Sequence, residues 1–376
     1  MPYIGEASNP FGLDDFLKQI GEEDFDRLRK INTLIEDLTR DLNESDVQEV
    51  SPAQSHRRLI TVAVDGGSSL IFPQHREISL GMVRVCAYGS DLQSQPKPAI
   101  VVIKNHEVFD ILRSNLSTED LKNKRHQYID ALFSQFPLKE FSEQTGIEHK
   151  DLGDYIYKDL ESFSGVIRSV LEWAYIVYIV KEYRNLKVVL VRDGRLEQHG
   201  VKKDFIKKLK DYFERNKTYI VGVVKSTKLV REFVASSVIQ RWLSCFAGEY
   251  PIYFKIPNSL MEYTFRFERQ WNPEFDESFV FGYRYLGKFL TETFHPMQAV
   301  ITFDIPWYLD SDSKAVAEIV STLFKHRSVL YGGSISAVSE AHARASIDST
   351  IARTIEAELR VRIERETGLK IPDWEV

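Results

Sequence analysis

Two cysteines, Cys86 and Cys245, are all that this 376-residue chain contains. That is too few for a disulfide scaffold or a cysteine-rich zinc site. No apolar run reaches the length of a membrane span: the most hydrophobic stretch, 170–180, is interrupted by Glu172 and reads as a buried amphipathic helix. The first residues, MPYIGEASNPFGLDD, lack the basic start and apolar centre of a secretory signal, so a cytoplasmic protein with no membrane association is expected. An excess of basic residues is also missing. The formal charge is −6, and the pI is near 5.9. A protein that coats nucleic acid draws its non-specific affinity from cations that neutralise phosphates. If this chain handles DNA, its contacts are local or a partner presents the strand. Internal repeats and low-complexity segments are absent as well.

What is present is enough apolar residue, 43%, to bury a substantial core. Residues 13–42 have helical periodicity, carried by Phe16, Ile20, Phe25, Leu28, Ile31, Leu34, Ile35 and Leu38, with Gly21 as a break. The polar stretch 43–55 reads as a linker. This divides the chain into a helical arm and linker, 1–55, and a main domain, 56–376, with a helical insertion around 105–160.

Strand patterns then take over. LITVAV (59–64) ends at Asp65-Gly66-Gly67; ISLGMVRVCAY (78–88) and AIVVIK (99–104) follow. The strongest helix spans 160–183. VVLVR (188–192) ends at Asp193-Gly194, a basic amphipathic helix covers 202–215, and YIVGVV (219–224) ends at Lys225. Further strands are expected at 252–256, 263–268, 279–289 and 299–305, and a long helix over 337–366. Three consecutive strands, then helix, strand, helix, strand, match an α/β fold built on the mixed sheet of RNase H. A doubly wound sheet would alternate from its start.

Both Asp65 and Asp193 end a strand and precede glycine. A carboxylate there is fixed by the sheet yet open at its rim, and two on neighbouring strands can share a hard divalent cation. The plain alternative is that Asp-Gly is ordinary turn chemistry. Glu172, the lone acid inside VLEWAYIVYIV, is a third metal-ligand candidate, because an unpartnered buried carboxylate is costly. Arg168, four residues earlier, offers a structural ion pair instead. Lys225 is either a solvated strand-end lysine or a contact for a phosphate, and His342 a surface histidine or a proton donor. The lysines at 202, 203, 207, 208 and 210 form a solvated face or a guide for a DNA backbone.

Taken in order, AVDGGS (Asp65), RxxxE (Arg168, Glu172), LVRDGRL (Asp193), GVVKST (Lys225) and the Ala341-His342 element resemble the NurA nuclease family. ITFDIPWYL, around Asp304 and Pro306, is similar to the family's late strand. The resemblance implies a Mn²⁺- or Mg²⁺-dependent deoxyribonuclease with Asp65, Glu172 and Asp193 as metal ligands and Lys225 and His342 as further catalytic groups. It would degrade single-stranded DNA, resect duplex ends in the 5′ to 3′ sense for repair, and act as a homodimer with a HerA-type hexameric translocase. Two other readings compete: an ATP-binding enzyme of the actin, hexokinase and Hsp70 class, whose phosphate loops also use Asp-Gly, and a non-catalytic translocase adaptor. The first would need a late Gly-Gly loop, for which Gly332-Gly333 is the sole candidate.

Overall fold

A computed structural model describes residues 21–38, 40, 46–50, 59–75, 77–109, 118–153, 159–224, 250–262, 280–290, 300–328 and 334–372. The described strands form one nine-stranded sheet in the order β1-β7-β8-β9-β6-β5-β2-β3-β4. Its organising half comprises β2 (Ile60–Ile71), β3 (Leu80–Tyr88), β4 (Ala99–Lys104), β5 (Val188–Asp193) and β6 (Tyr219–Val224). β2, β3 and β4 meander antiparallel, then β5 and β6 run parallel to β2 on its other side. That is the RNase H strand order, as the element sequence predicts.

Beyond β6 the sheet turns antiparallel through β9 (Val300–Pro306), β8 (Gly282–Lys288), β7 (Ile252–Lys255) and the short β1 (Gln48–Glu49). The 43–55 stretch is therefore more than a linker: Gln48 and Glu49 pair with β7, and Val50 is buried. The expected strand at 263–268 lies outside the described residues.

Both faces of the sheet are covered, which is why the central strands are apolar on both sides. One face takes α3 (Thr118–Phe133), α4 (Leu138–Thr145), α5 (Leu160–Glu182) and α6 (Lys203–Arg215). Val62, Val64, Val83, Val85, Leu190 and Ile220 meet those helices. The other face takes α8 (Ser313–Lys325) and α9 (Ser336–Ala345) on Ala63, Val189, Val191, Val221, Val223 and Phe303. Two single-turn helices, α2 (Asn105–Val108) and α7 (Trp307–Asp310), follow β4 and β9, and α1 (Glu22–Leu38) lies in the N-terminal arm.

α5 starts on an Asp159 cap that accepts from the Ser162 N–H. By length and composition this helix is apolar enough to span a bilayer, but 72% of its most apolar window is buried, as expected for a central core helix. The long C-terminal helix is in fact two. α9 ends at Ala345, and Asp348 caps a new helix, α10 (Ser349–Thr367), by accepting from the Ile351 N–H. A second cap inside a charge-rich helical pattern is what the periodicity alone does not reveal.

Candidate metal centre

β2 does not stop at the Asp-Gly-Gly sequence. It runs through it, pairing residue by residue with β3 as far as Ile71. The glycines serve close packing rather than a turn. A Cβ on Gly67 would lie 2.2 Å from the Ala345 carbonyl oxygen, so the end of α9 sits directly on the strand. On the opposite face, a Cβ on Gly66 would lie 2.7 Å from Glu172 Oε1 and 2.8 Å from Arg168 Cγ. Two helices thus close on β2 from both sides at consecutive positions, which only residues without a side chain permit.

This approach brings three groups together. Asp65 sits in mid-strand, Asp193 ends β5 beside it, and His342 hangs over both from α9. His342 Nδ1 is 2.7 Å from Asp65 Oδ2 and 3.7 Å from Asp193 Oδ2. One ligand atom from each of the three lies within 4.8 Å of the others. The Gly66 N–H donates to Asp65 Oδ1 at 2.7 Å. Burial pushes the Asp65 carboxyl above its usual range and the neighbouring Asp193 charge adds to this, while His342 and the Gly66 N–H work against it. Two carboxylates and an imidazole nitrogen at this spacing suit a divalent cation of the manganese or magnesium type, which would relieve their repulsion.

Glu172 stands on the other face of the sheet and already has a partner. Arg192 donates to Glu172 Oε2 from Nε at 3.1 Å and from Nη2 at 2.9 Å. The same guanidinium donates to Ser169 Oγ, Arg195 O and Glu197 O, so all five N–H groups are used, and it packs over Trp173. Burial raises the Glu172 carboxyl; Arg192 and Arg168 pull it down, and Asp65 adds to the rise. In the sequence, the signal for Arg192 is an arginine closing an apolar strand one residue before Asp193.

A second buried pair lies in line with the first across the sheet. Arg284 Nε donates to Asp304 Oδ1 at 3.0 Å, with both side chains 1% exposed. Asp304 Oδ2 accepts from the Leu196 N–H at 3.0 Å, which ties the chain following Asp193 to β9. Asp304 is thus structural in position. Lys225 and Gly332-Gly333 lie outside the described residues. On α6, Lys208 pairs with Asp151 and Lys210 lies over the Trp307 ring, so two of the helix's lysines are engaged within the protein.

No protein-family model matches the chain, and no curated protein does. Among solved structures, it is similar to the NurA nuclease from Sulfolobus solfataricus, at 13% identity and a TM-score of 0.44, over 97% of this chain and 99% of that one. A NurA structure bound to dAMP and manganese gives 12% identity and a TM-score of 0.37, over 94% and 99%. The catalytic domain of human endonuclease V gives 11% and 0.30, over 93% and 99%. The chain is similar along nearly its whole length to NurA nuclease structures, the family its ordered motifs resemble.

Proposed function

We propose that this protein is a metal-dependent deoxyribonuclease that hydrolyses phosphodiester bonds on the face of the sheet where β2 and β5 lie side by side beneath His342. The observation that carries the reading is the convergence of Asp65, Asp193 and His342 on a sheet with the RNase H strand order. A bound Mn²⁺ or Mg²⁺ would supply Lewis acidity and an activated water. Asp65 and Asp193 would hold it, each fixed by its strand. Glu172, on the opposite face behind Gly66 and held there by Arg192, would add negative charge behind the site rather than a bond to the cation. His342, with a side chain 61% exposed, can carry a proton between the reacting groups and solvent. Lys225, which follows β6, would offset charge on the phosphate.

We further place the protein in the cytoplasm, in DNA end resection and repair, as a homodimer working with a HerA-type translocase. Exposed Ile100 and Val102 on the outer strand β4 offer an apolar surface for a second copy, and exposed Phe25 and Leu34 on α1 offer one for the translocase. A translocase that delivers the strand also accounts for the absence of a basic excess. Sizing of the protein, and translocase binding with and without residues 1–45, check these two assignments. That deletion spares β1.

The central test is cleavage of single-stranded DNA with Mn²⁺, with Mg²⁺ and with chelator. Wild type should cleave only with metal. Asp65→Asn and Asp193→Asn should each lower kcat by about 10³-fold or more while remaining folded. Full activity in either variant, with contaminating nuclease excluded, would overturn the proposal.

A further inference from the structure

The parallel strands have a second end, away from the metal centre. There, between the starts of β5 and β6 and the C-termini of α5 and α6, lies a cavity of about 630 Å³. That volume is in the range of small-molecule sites. Val188 lines it and Asp193 ends the same strand, so at about 3.3 Å per residue the two places are roughly 16 Å apart.

Lys181, Arg184, Lys187 and Lys217 line this cavity together with Tyr183 and Tyr212. No carboxylate is among its described lining residues, in a chain whose formal charge is −6. A helix C-terminus carries partial negative charge that a last-turn cation offsets. Lys181 does so for α5 and Arg215 for α6, and Lys181 also pairs with Glu140. Arg184, Lys187 and Lys217 follow the helix ends and are surplus to that role. All three are exposed, and their side chains make no hydrogen bond or ion pair among the described residues. Lys217 moreover has φ 48°, in the left-handed region where glycine or asparagine is the usual choice. Backbone strain of this kind collects at ligand sites.

Three unpaired cations around one cavity suit a multiply charged anion, and the arginine fork matches two phosphate oxygens at once. Tyr183 is half-buried and has no ring partner among the described residues, which leaves it for a planar base. We infer that this cavity binds a nucleotide, its phosphate held by Arg184, Lys187 and Lys217 and its base laid against Tyr183. The nucleotide is either free or the phosphorylated end of a strand. The site stands apart from the nuclease reading.

The test titrates the full-length protein, in chelator, with thymidine 5′-monophosphate, 5′-phosphorylated oligothymidine, thymidine and inorganic phosphate, followed by calorimetry. A phosphorylated thymidine probe should bind about 10-fold or more tightly than either thymidine or inorganic phosphate. The double variant Arg184→Gln, Lys187→Gln should weaken that binding roughly 10-fold or more, as loss of charge-assisted contacts implies. Both residues are exposed and unpaired, so the variant should fold. Asp65→Asn should bind as wild type does. Binding of the monophosphate supports a free nucleotide; binding of the oligonucleotide alone supports a strand end. Binding by neither probe, binding that the double variant leaves intact, or equal affinity for inorganic phosphate would overturn the inference, even with metal-dependent cleavage established. Conversely, nucleotide binding lost in the double variant would stand if Asp65→Asn proved fully active.

Discussion

Charges on the two faces of the central sheet are arranged in opposite ways. On the face covered by α5 and α6, Glu172 meets Arg192, Asp304 meets Arg284, and Glu197 lies between Arg195 and His199. On the face covered by α9, Asp65 and Asp193 stand side by side with one histidine between them and solvent. Adjacent residues make the switch: Arg192 points to the first face and Asp193 to the second, because side chains alternate along a strand. The difference separates two uses of burial. Where every charge is matched, the charges hold the chain in place. Where like charges are pressed together, the fold has kept a repulsion that a cation can relieve, and such sites are where function is expected.

The comparison breaks if the matched face proves dispensable for stability. Asp304 gives the largest effect there. Its removal leaves Arg284 buried without its counter-ion and the Leu196 N–H without its acceptor. Asp304→Ala should therefore cost about 3–5 kcal/mol in urea unfolding. Near-neutral stability would mean that the row of pairs does not anchor the chain after Asp193.

The other face is sharpened by His342. Its exposed ring contributes little packing, so His342→Gln should leave unfolding nearly unchanged. It should lower activity by about 10- to 100-fold and raise the Mn²⁺ concentration needed for half-maximal rate, the scale seen when a group orienting a metal site is lost. Loss of stability without loss of activity would assign His342 to the matched class instead.

How much of this was legible depends on whether a residue's neighbours lie along the chain or across it. Asp65 and Asp193 could be found because each stands at the end of a recognisable apolar strand pattern. The continuation of β2 through Gly66-Gly67 could not, since two glycines and two serines read as a turn until α5 and α9 are seen to press on them. Glu172 was visible as a buried acid. Its partner was not, because Arg168 is four residues away on the helix, whereas Arg192 comes from another strand. Asp304 is the single charge in VITFDIP, and Arg284 shares the strand GYRYLGK with Lys288. Each alone looks like an outward-facing residue, and only the pairing of β8 with β9 sets them opposite one another.

Glu197 provides the finest probe of the matched face. Burial opposes its ionisation, but His199, Arg195 and Arg284 together outweigh that and bring the carboxyl from 4.5 to about 2. A group depressed in this way stabilises the fold above its unfolded value and loses that contribution as pH falls toward the folded one. Glu197→Gln removes the charge but keeps the shape. At neutral pH it should cost about 1–2 kcal/mol, less than Asp304→Ala because Arg284 keeps its pair with Asp304 and His199 is partly open to water. The gap between variant and wild type should close as the pH is lowered from about 4.5 toward 2. A gap that stays constant across that window would show that the carboxylate's charge contributes nothing to the clamp. The chain after Asp193 would then be held by Arg192, by Asp304 and by its backbone hydrogen bonds with Val223 and Phe281.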